Sequence, residues 1–274
     1  MMEFDGYHDL NIDASCAIDD ELWDTLFDYK TKIIALNQTV DCTEVSRKRK
    51  KGEKQDDTIP EPKKLEVPDR YKGKFMVLNR LTIKFSDTSQ WYKVMKSKNI
   101  KRYHLLAAIP ANGNALHHCC STGDADIVTF EPESKPDWKI SRKIYKMAVS
   151  RNVFFEINYG PAVLDSSCRR NTIQLCQSYH THGKSKNIII SSSLTNPFHI
   201  RSPYDIIHLS ALFDLSEGEA KNAIIHNPKC VLQRAASRLQ GKAVFRMVRA
   251  KTDKESESED DETELENEPM ETES

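Results

Sequence analysis

Two cations open the chemistry of this chain. In FMVLNRLTIKF, Arg80 and Lys84 stand four residues apart, an even spacing that puts both side chains on one side of a strand. Others follow at Arg102, at Arg169-Arg170, at Lys184 and Lys186, and at Arg201. Arginine offers a planar fork of donors that suits phosphate, and contacts of this kind position a protein on a nucleic-acid backbone. Arg201 has the most suggestive neighbourhood. It lies between a serine run, Ser191-Ser192-Ser193, and a segment opened by Ser202, with Pro203 at a first helical position and Asp205 three residues after the serine. A cation, small residues and free N–H groups of a helix start would together favour an anion, so Ser191, Ser192 and Ser202 are its expected ligands.

Groups that could break bonds are sparse. Ser191-Ser192-Ser193 lacks the G-x-S-x-G frame of a nucleophile elbow. Small residues allowing close approach of a phosphate or a helix explain the run better. The one H-x-H, His180 and His182, falls at the end of an expected helix, where residues two apart point in different directions. His117-His118 also reads as helical, so no metal site is expected. Glu156, in the middle of FFEINY, suits a buried acid paired with an arginine better than a catalytic acid. No catalytic constellation emerges, and no cofactor is implied. A metal-dependent phosphoesterase on a barrel, the rival reading, would need His and Asp ligands converging at strand ends.

The elements that must carry these residues alternate. Strands are expected at Tyr7 to Ile12, Lys32 to Val40, Phe75 to Phe85, His104 to Pro110, Ile127 to Phe130, Phe154 to Tyr159 and from Ile188. Helices are expected at Asp19 to Tyr29, around Leu116 to Ser121, at Ser141 to Ser150, and after a cap at Asp165. In the last, Cys168, Thr172, Leu175, Cys176 and Tyr179 share one face. Ser216 with Glu219 caps a further helix, stopped by Asn227-Pro228. Such alternation means an α/β protein with a parallel sheet. The first strand is not followed by a Gly-rich nucleotide turn, which counts against the dinucleotide fold and leaves a TIM-barrel-like (β/α) barrel, irregular where one crossover helix is missing.

That irregular crossover is Thr43 to Gly73, with ten basic and seven acidic residues, three prolines and almost nothing to bury. A flexible insertion within a domain spanning residues 1–250 is expected. Its run Arg47, Lys48, Arg49, Lys50, Lys51 resembles a nuclear import signal, against the plainer reading of a solvated loop. From Lys251 to Ser274 the chain holds twelve acidic residues and two lysines, which reads as a disordered tail. Ser256, Ser258 and Thr263 each precede an acidic residue by three positions, as an acid-directed kinase requires, while a solubilising role explains the tail equally well. The formal charge of −1 therefore conceals a body of 38 basic and 29 acidic residues. A basic body suits a polyanionic partner. Seven scattered cysteines without C-x-x-C suggest reduced thiols inside a cell. No apolar run approaches the roughly 20 residues of a membrane span, so no membrane partner is expected.

The segments FEINYGPAVLDSSCRRNTIQ and KNIIISSSLTNPFHIRSPYDIIHLSALFDLSEGEAKNAI resemble the thirty-kilodalton protein subunit family of eukaryotic and archaeal ribonuclease P, shared in eukaryotes with RNase MRP. FMVLNRLTIKF is similar to that family's third-strand motif. The likeness runs from about Tyr7 to Pro228 and leaves out the lysine-rich insertion and the acidic tail. It implies a TIM-barrel-like subunit without catalytic residues of its own, assisting an RNA catalyst that removes 5′ leaders from precursor tRNA, and serving ribosomal RNA processing in the MRP particle. The implied partners are the RNase P and MRP RNAs, precursor tRNA and other protein subunits, including a small ferredoxin-like one. The nucleus, and within it the nucleolus, is the expected location. Arg80, Arg169, Arg170 and Arg201 are the implied RNA-facing residues, and the cationic pattern adds Lys84, Arg102 and Lys186.

Overall fold

In the computed structural model of the chain, which describes residues 6–16, 20–43, 59–63 and 67–241, each β-rich segment finds a parallel neighbour. The strands are β1 (Tyr7–Asp13), β2 (Thr31–Asp41), β3 (Met76–Phe85), β4 (Leu105–Pro110), β5 (Ile127–Val128), β6 (Phe154–Asn158) and β7 (Ile188–Ser191). They pair in sequence order. The ring closes where β7 runs on to meet β1: Ile12 bridges Leu194 in parallel, Ser193 N–H donates to the Asn11 carbonyl at 2.7 Å, and Asp13 N–H donates to Leu194. The expected TIM-barrel-like architecture is thus present as a seven-stranded, nearly closed barrel.

Around it run α1 (Asp20–Asp28), α2 (Thr88–Met95), α3 (Gly113–Ser121), α4 (Arg142–Ser150), α5 (Tyr159–Leu164), α6 (Ser166–Gly183), α7 (Pro203–Leu209), α8 (Glu217–Ile224) and α9 (His226–Gln240). Asp165 accepts N–H bonds from Ser167 and Cys168 and so starts α6, whose buried residues are Cys168, Thr172, Leu175, Cys176 and Tyr179. Three helices depart from the sequence-based expectation, among them α5, which begins at Tyr159 where strand was expected. α2 follows β3, where Asp87 and Gln90 form a capping box. α9 begins where a stop was expected, because Pro228 sits in its first turn, where the proline lacks only an N–H that has no helical partner. The insertion also differs in part. Ile59 and Tyr71 are buried in the core, and the Ile59 and Pro60 carbonyls accept bonds from Asn99 and Tyr103.

The barrel interior has two layers. Its lower layer is apolar: Leu10, Ile33, Ala35, Leu105, Ala107, Ile127, Phe154 and Ile189 pack together with Val231 and Ala235 of α9. α9 caps the N-terminal ends of the strands. Arg234 donates to the Ala125 and Arg151 carbonyls, Arg238 to the His104 carbonyl and the Asp126 carboxylate, and Asn227 to the Ile188 carbonyl. The upper layer, towards the C-terminal ends, is polar.

Candidate nucleic-acid interface

The barrel interior, one layer below the C-terminal strand ends where a barrel enzyme keeps its chemistry, holds an ion pair. Arg80 on β3 and Glu156 on β6 are both fully buried. The guanidinium grips the carboxylate with two bonds, at 2.5 and 2.7 Å, and donates further to the Leu10 carbonyl and to Thr82 Oγ1. Asn11 Nδ2 donates to Glu156 and to Asn158 Oδ1, while Asn158 Nδ2 reaches Thr129 and the Phe130 carbonyl. Thr82 Oγ1 donates in turn to Asn37 Oδ1. Above this layer Lys84 sits between Glu131 at 2.7 Å and Asp41 at 3.7 Å, and the Glu131 carboxylate beside it raises the Lys84 ammonium above its ordinary pKa. Arg80 is thus matched by one carboxylate, and Lys84 is shared between two.

The serine loop is built for closure. Ser191 and Ser192 are buried. Ser192 N–H donates to both oxygens of Asp9, at 3.2 and 3.3 Å, and Ser192 Oγ donates to the Asn11 carbonyl. A carboxylate of the protein therefore stands where an anionic ligand was expected. Ser202 accepts from Asp205 N–H and donates to the Asp205 carboxylate. With that acid in its first turn and only seven residues, α7 offers its start to Asp205. Ser192 and Ser202 thus engage Asp9 and Asp205 in place of the expected anion, while Ser191 is buried beside them. Asp9 lines a cleft of about 30 Å³ shared with Tyr159 and Arg201, room for a water molecule or two. Desolvation raises its carboxyl to about 6.

The cations divide by what they already hold. Arg80 is enclosed in the barrel and cannot face RNA, because a strand of a parallel barrel has two buried sides and its even-numbered row points inward. Lys84 is held by two acids, Arg102 by Glu61 at 2.6 Å, and Arg169 by the Ala162 and Val163 carbonyls that end α5. Arg170 makes one long bond of 3.5 Å to Ser167, and Lys186 and Arg201 are exposed. Only Arg201's backbone is engaged, with N–H donating to Tyr159 Oη. The import-like cluster Arg47 to Lys51 and the sites Ser256, Ser258 and Thr263 lie outside the described residues.

With this geometry in hand, the likenesses to known proteins gain meaning. Residues 6–240 match the family described as RNase P subunit p30. The chain belongs to that family. It is 32% identical over 163 residues to ribonuclease P protein subunit p30 of Mus musculus, covering 59% of this chain and 61% of the relative. To ribonuclease P/MRP protein subunit RPP1 of Saccharomyces cerevisiae it is 27% identical over 124 residues, 45% of this chain and 42% of the relative. The alignments thus span about three fifths of the mouse protein's length and less of the yeast one. A chain in the cryo-EM structure of archaeal ribonuclease P with mature tRNA shares the fold, with TM-score 0.58 at 18% identity, covering 90% of this chain and 99% of that one.

The cations that the sequence reading left out are on the p30-family barrel's outer wall. Lys139, Arg142, Lys143, Lys146 and Lys184 are exposed, and none forms an ion pair among the described residues. Lys184 was noted as a cation only. The signal for three of the others was available: Arg142, Lys143 and Lys146, at spacings of three and four residues on a capped helix, share one face.

Proposed function

We propose that this chain is a non-catalytic protein subunit of ribonuclease P and of RNase MRP, supporting RNA-catalysed removal of 5′ leaders from precursor tRNA and ribosomal RNA processing. Its partners in this reading are the two RNAs, precursor tRNA and other protein subunits, a small ferredoxin-like one among them. The nucleus and nucleolus are where it would work. Family membership over residues 6–240 supports the particle. The observation that carries the non-catalytic part is that the barrel's charged groups are already engaged, Lys84 with Glu131 and Asp41 at the strand ends and Arg80 with Glu156 in the layer below.

The test is recovery of crosslinked RNA with the tagged full-length chain from cells, followed by sequencing. The RNase P and MRP RNAs are expected, together with leader removal by the recovered particle. Absence of both RNAs would remove the subunit reading. Chelator-sensitive phosphoester hydrolysis by the isolated protein would replace it with a metal-dependent phosphoesterase.

A further inference from the structure

Charge is segregated along this chain and therefore around the barrel. Residues 88–187 contain fifteen Lys and Arg against seven Asp and Glu, and two of those acids, Asp126 and Glu156, are fully buried. The other described residues carry thirteen basic against fourteen acidic side chains. The basic stretch forms one continuous arc of outer wall, in which α2 packs on α3, α3 on α4 and α4 on α6. Acids gather on the opposite arc, four of them on α1 and two in the first turn of α8.

Within the basic arc, α4 and α6 form the acid-free centre. Neither helix contains an Asp or Glu. They are clamped together at Tyr145, whose ring lies against Gly183 and whose hydroxyl donates to the Lys186 carbonyl. That contact brings the turn bearing Lys184 and Lys186 beside the helix bearing Arg142, Lys143 and Lys146. Lys139 precedes the same helix by three residues. The nearest carboxylates by sequence, Glu133 and Asp137, lie in the loop entering α4, and Asp165 is occupied as the α6 cap.

Stability does not account for this placement. Arg142 and Lys143 occupy the first turn of α4, where the positive end of the helix dipole disfavours cations, and no acid there compensates. Like charges at spacings of three and four residues repel as well. A face that accumulates unpaired cations against the local electrostatics is poised for an external polyanion.

We infer that the α4–α6 face, centred on Arg142, Lys143, Lys146, Lys184 and Lys186, docks the sugar–phosphate backbone of RNA. The inference rests on the subunit reading above and locates the contact on the outer wall, away from the barrel mouth. With no Phe, Tyr or Trp exposed on α4 or α6, the contact is to phosphates rather than to stacked bases.

The test compares the full-length protein with R142E/K143E and with a control, K30E/K32E, which alters two exposed lysines beside the acidic α1. Each is titrated into a labelled RNA hairpin across a salt series, and unlabelled polyglutamate of equal charge serves as competitor. For R142E/K143E the slope of log affinity against log salt should fall by about 1.5, equivalent to roughly 30-fold weaker binding at 0.1 M salt, since each lost phosphate contact removes about 0.7–0.9 from the slope. Its melting temperature should be unchanged or higher, because acids in a first turn favour the helix. K30E/K32E should bind with the parent slope. Equal slopes for the protein and R142E/K143E would overturn the inference, as would absent or salt-independent binding by the parent protein. Displacement by polyglutamate but not by RNA would assign the face to an acidic protein instead. The two readings separate in cells: R142E/K143E recovering RNase P RNA at parent levels refutes this face alone, whereas a parent chain that recovers none refutes the subunit reading too.

Discussion

Replacing Arg80 by alanine is the substitution that most directly separates a buried structural arginine from an RNA contact. Glu156 would remain fully buried, keeping only the Asn11 amide at 3.3 Å, and the Leu10 carbonyl would lose its 2.8 Å donor. Breaking a buried pair by removing one partner costs about 3–5 kcal/mol, which for a domain of this size lowers the melting temperature by roughly 6–20 °C. Replacing both partners by apolar residues, as in R80M/E156L, removes the uncompensated charge and should restore most of that loss. The assay is urea unfolding of the two single variants and the double one, closed as a thermodynamic cycle. RNA affinity measured on the folded fraction should not change in R80A. A loss below about 1 kcal/mol, the scale of a surface pair, combined with weakened RNA binding by folded R80A would refute the burial argument and return Arg80 to the RNA-facing set.

Three further outcomes follow from the geometry. Asp9 has a folded pKa of about 6, raised from 3.8 by desolvation, so the folded state holds its proton more tightly than the unfolded chain. Its contribution is most favourable below pH 4 and is lost as pH rises through 6. D9N should therefore be the more stable form at pH 8, by at most ~3 kcal/mol, with the gap closing towards pH 4 in paired unfolding curves. R238A leaves the buried Asp126 with the Leu106 N–H at 3.0 Å and Arg234 at 3.6 Å, without its closest cation. It should destabilise by about 3 kcal/mol and speed amide exchange in α9. G183A places a methyl group on the Tyr145 ring, an overpacking that should cost about 1–3 kcal/mol by thermal melts.

What the sequence disclosed depended on how far each signal was local. The α6 face was readable because apolar residues and a cap at Asp165 share one helix. α2 was missed since its eight residues bury only Trp91 and Val94; the Asp87–Gln90 spacing was its one legible mark. The spacing of Arg80 and Lys84 correctly put them on one side of β3. It could not say that this side faces inward, because both sides of a strand in a parallel barrel are covered. Glu156 was assigned an arginine partner for a sound reason, a charge in mid-strand, and the same reason applied to Arg80 would have paired the two. Ser202 did cap α7 as expected, but Asp9 lies 183 residues from Ser192, and sequence periodicity carries no information about that meeting.

The polar layer also explains how seven strands close a ring. The register of β1 against β2 shifts between Asp9 and Ile12, so that Leu10 joins the apolar layer while the next residue, Asn11, bonds Glu156 and Asn158 inside the barrel. Arg80 holds the Leu10 carbonyl, and the Asn11 carbonyl receives Ser193 N–H and Ser192 Oγ from the loop after β7. The ion pair thus fixes the irregular turn of backbone on which the β1–β7 seam depends, a seam with one bridge instead of a full ladder. Apolar replacement should recover global stability without recovering that geometry. In R80M/E156L the Ser193 and Asp13 amides should exchange faster than in the parent while β2 and β3 amides stay protected, since local opening is governed by local contacts. Uniform protection across the seam and the central strands would mean that the backbone closes β1 to β7 unaided, and that the buried pair serves no part in closure.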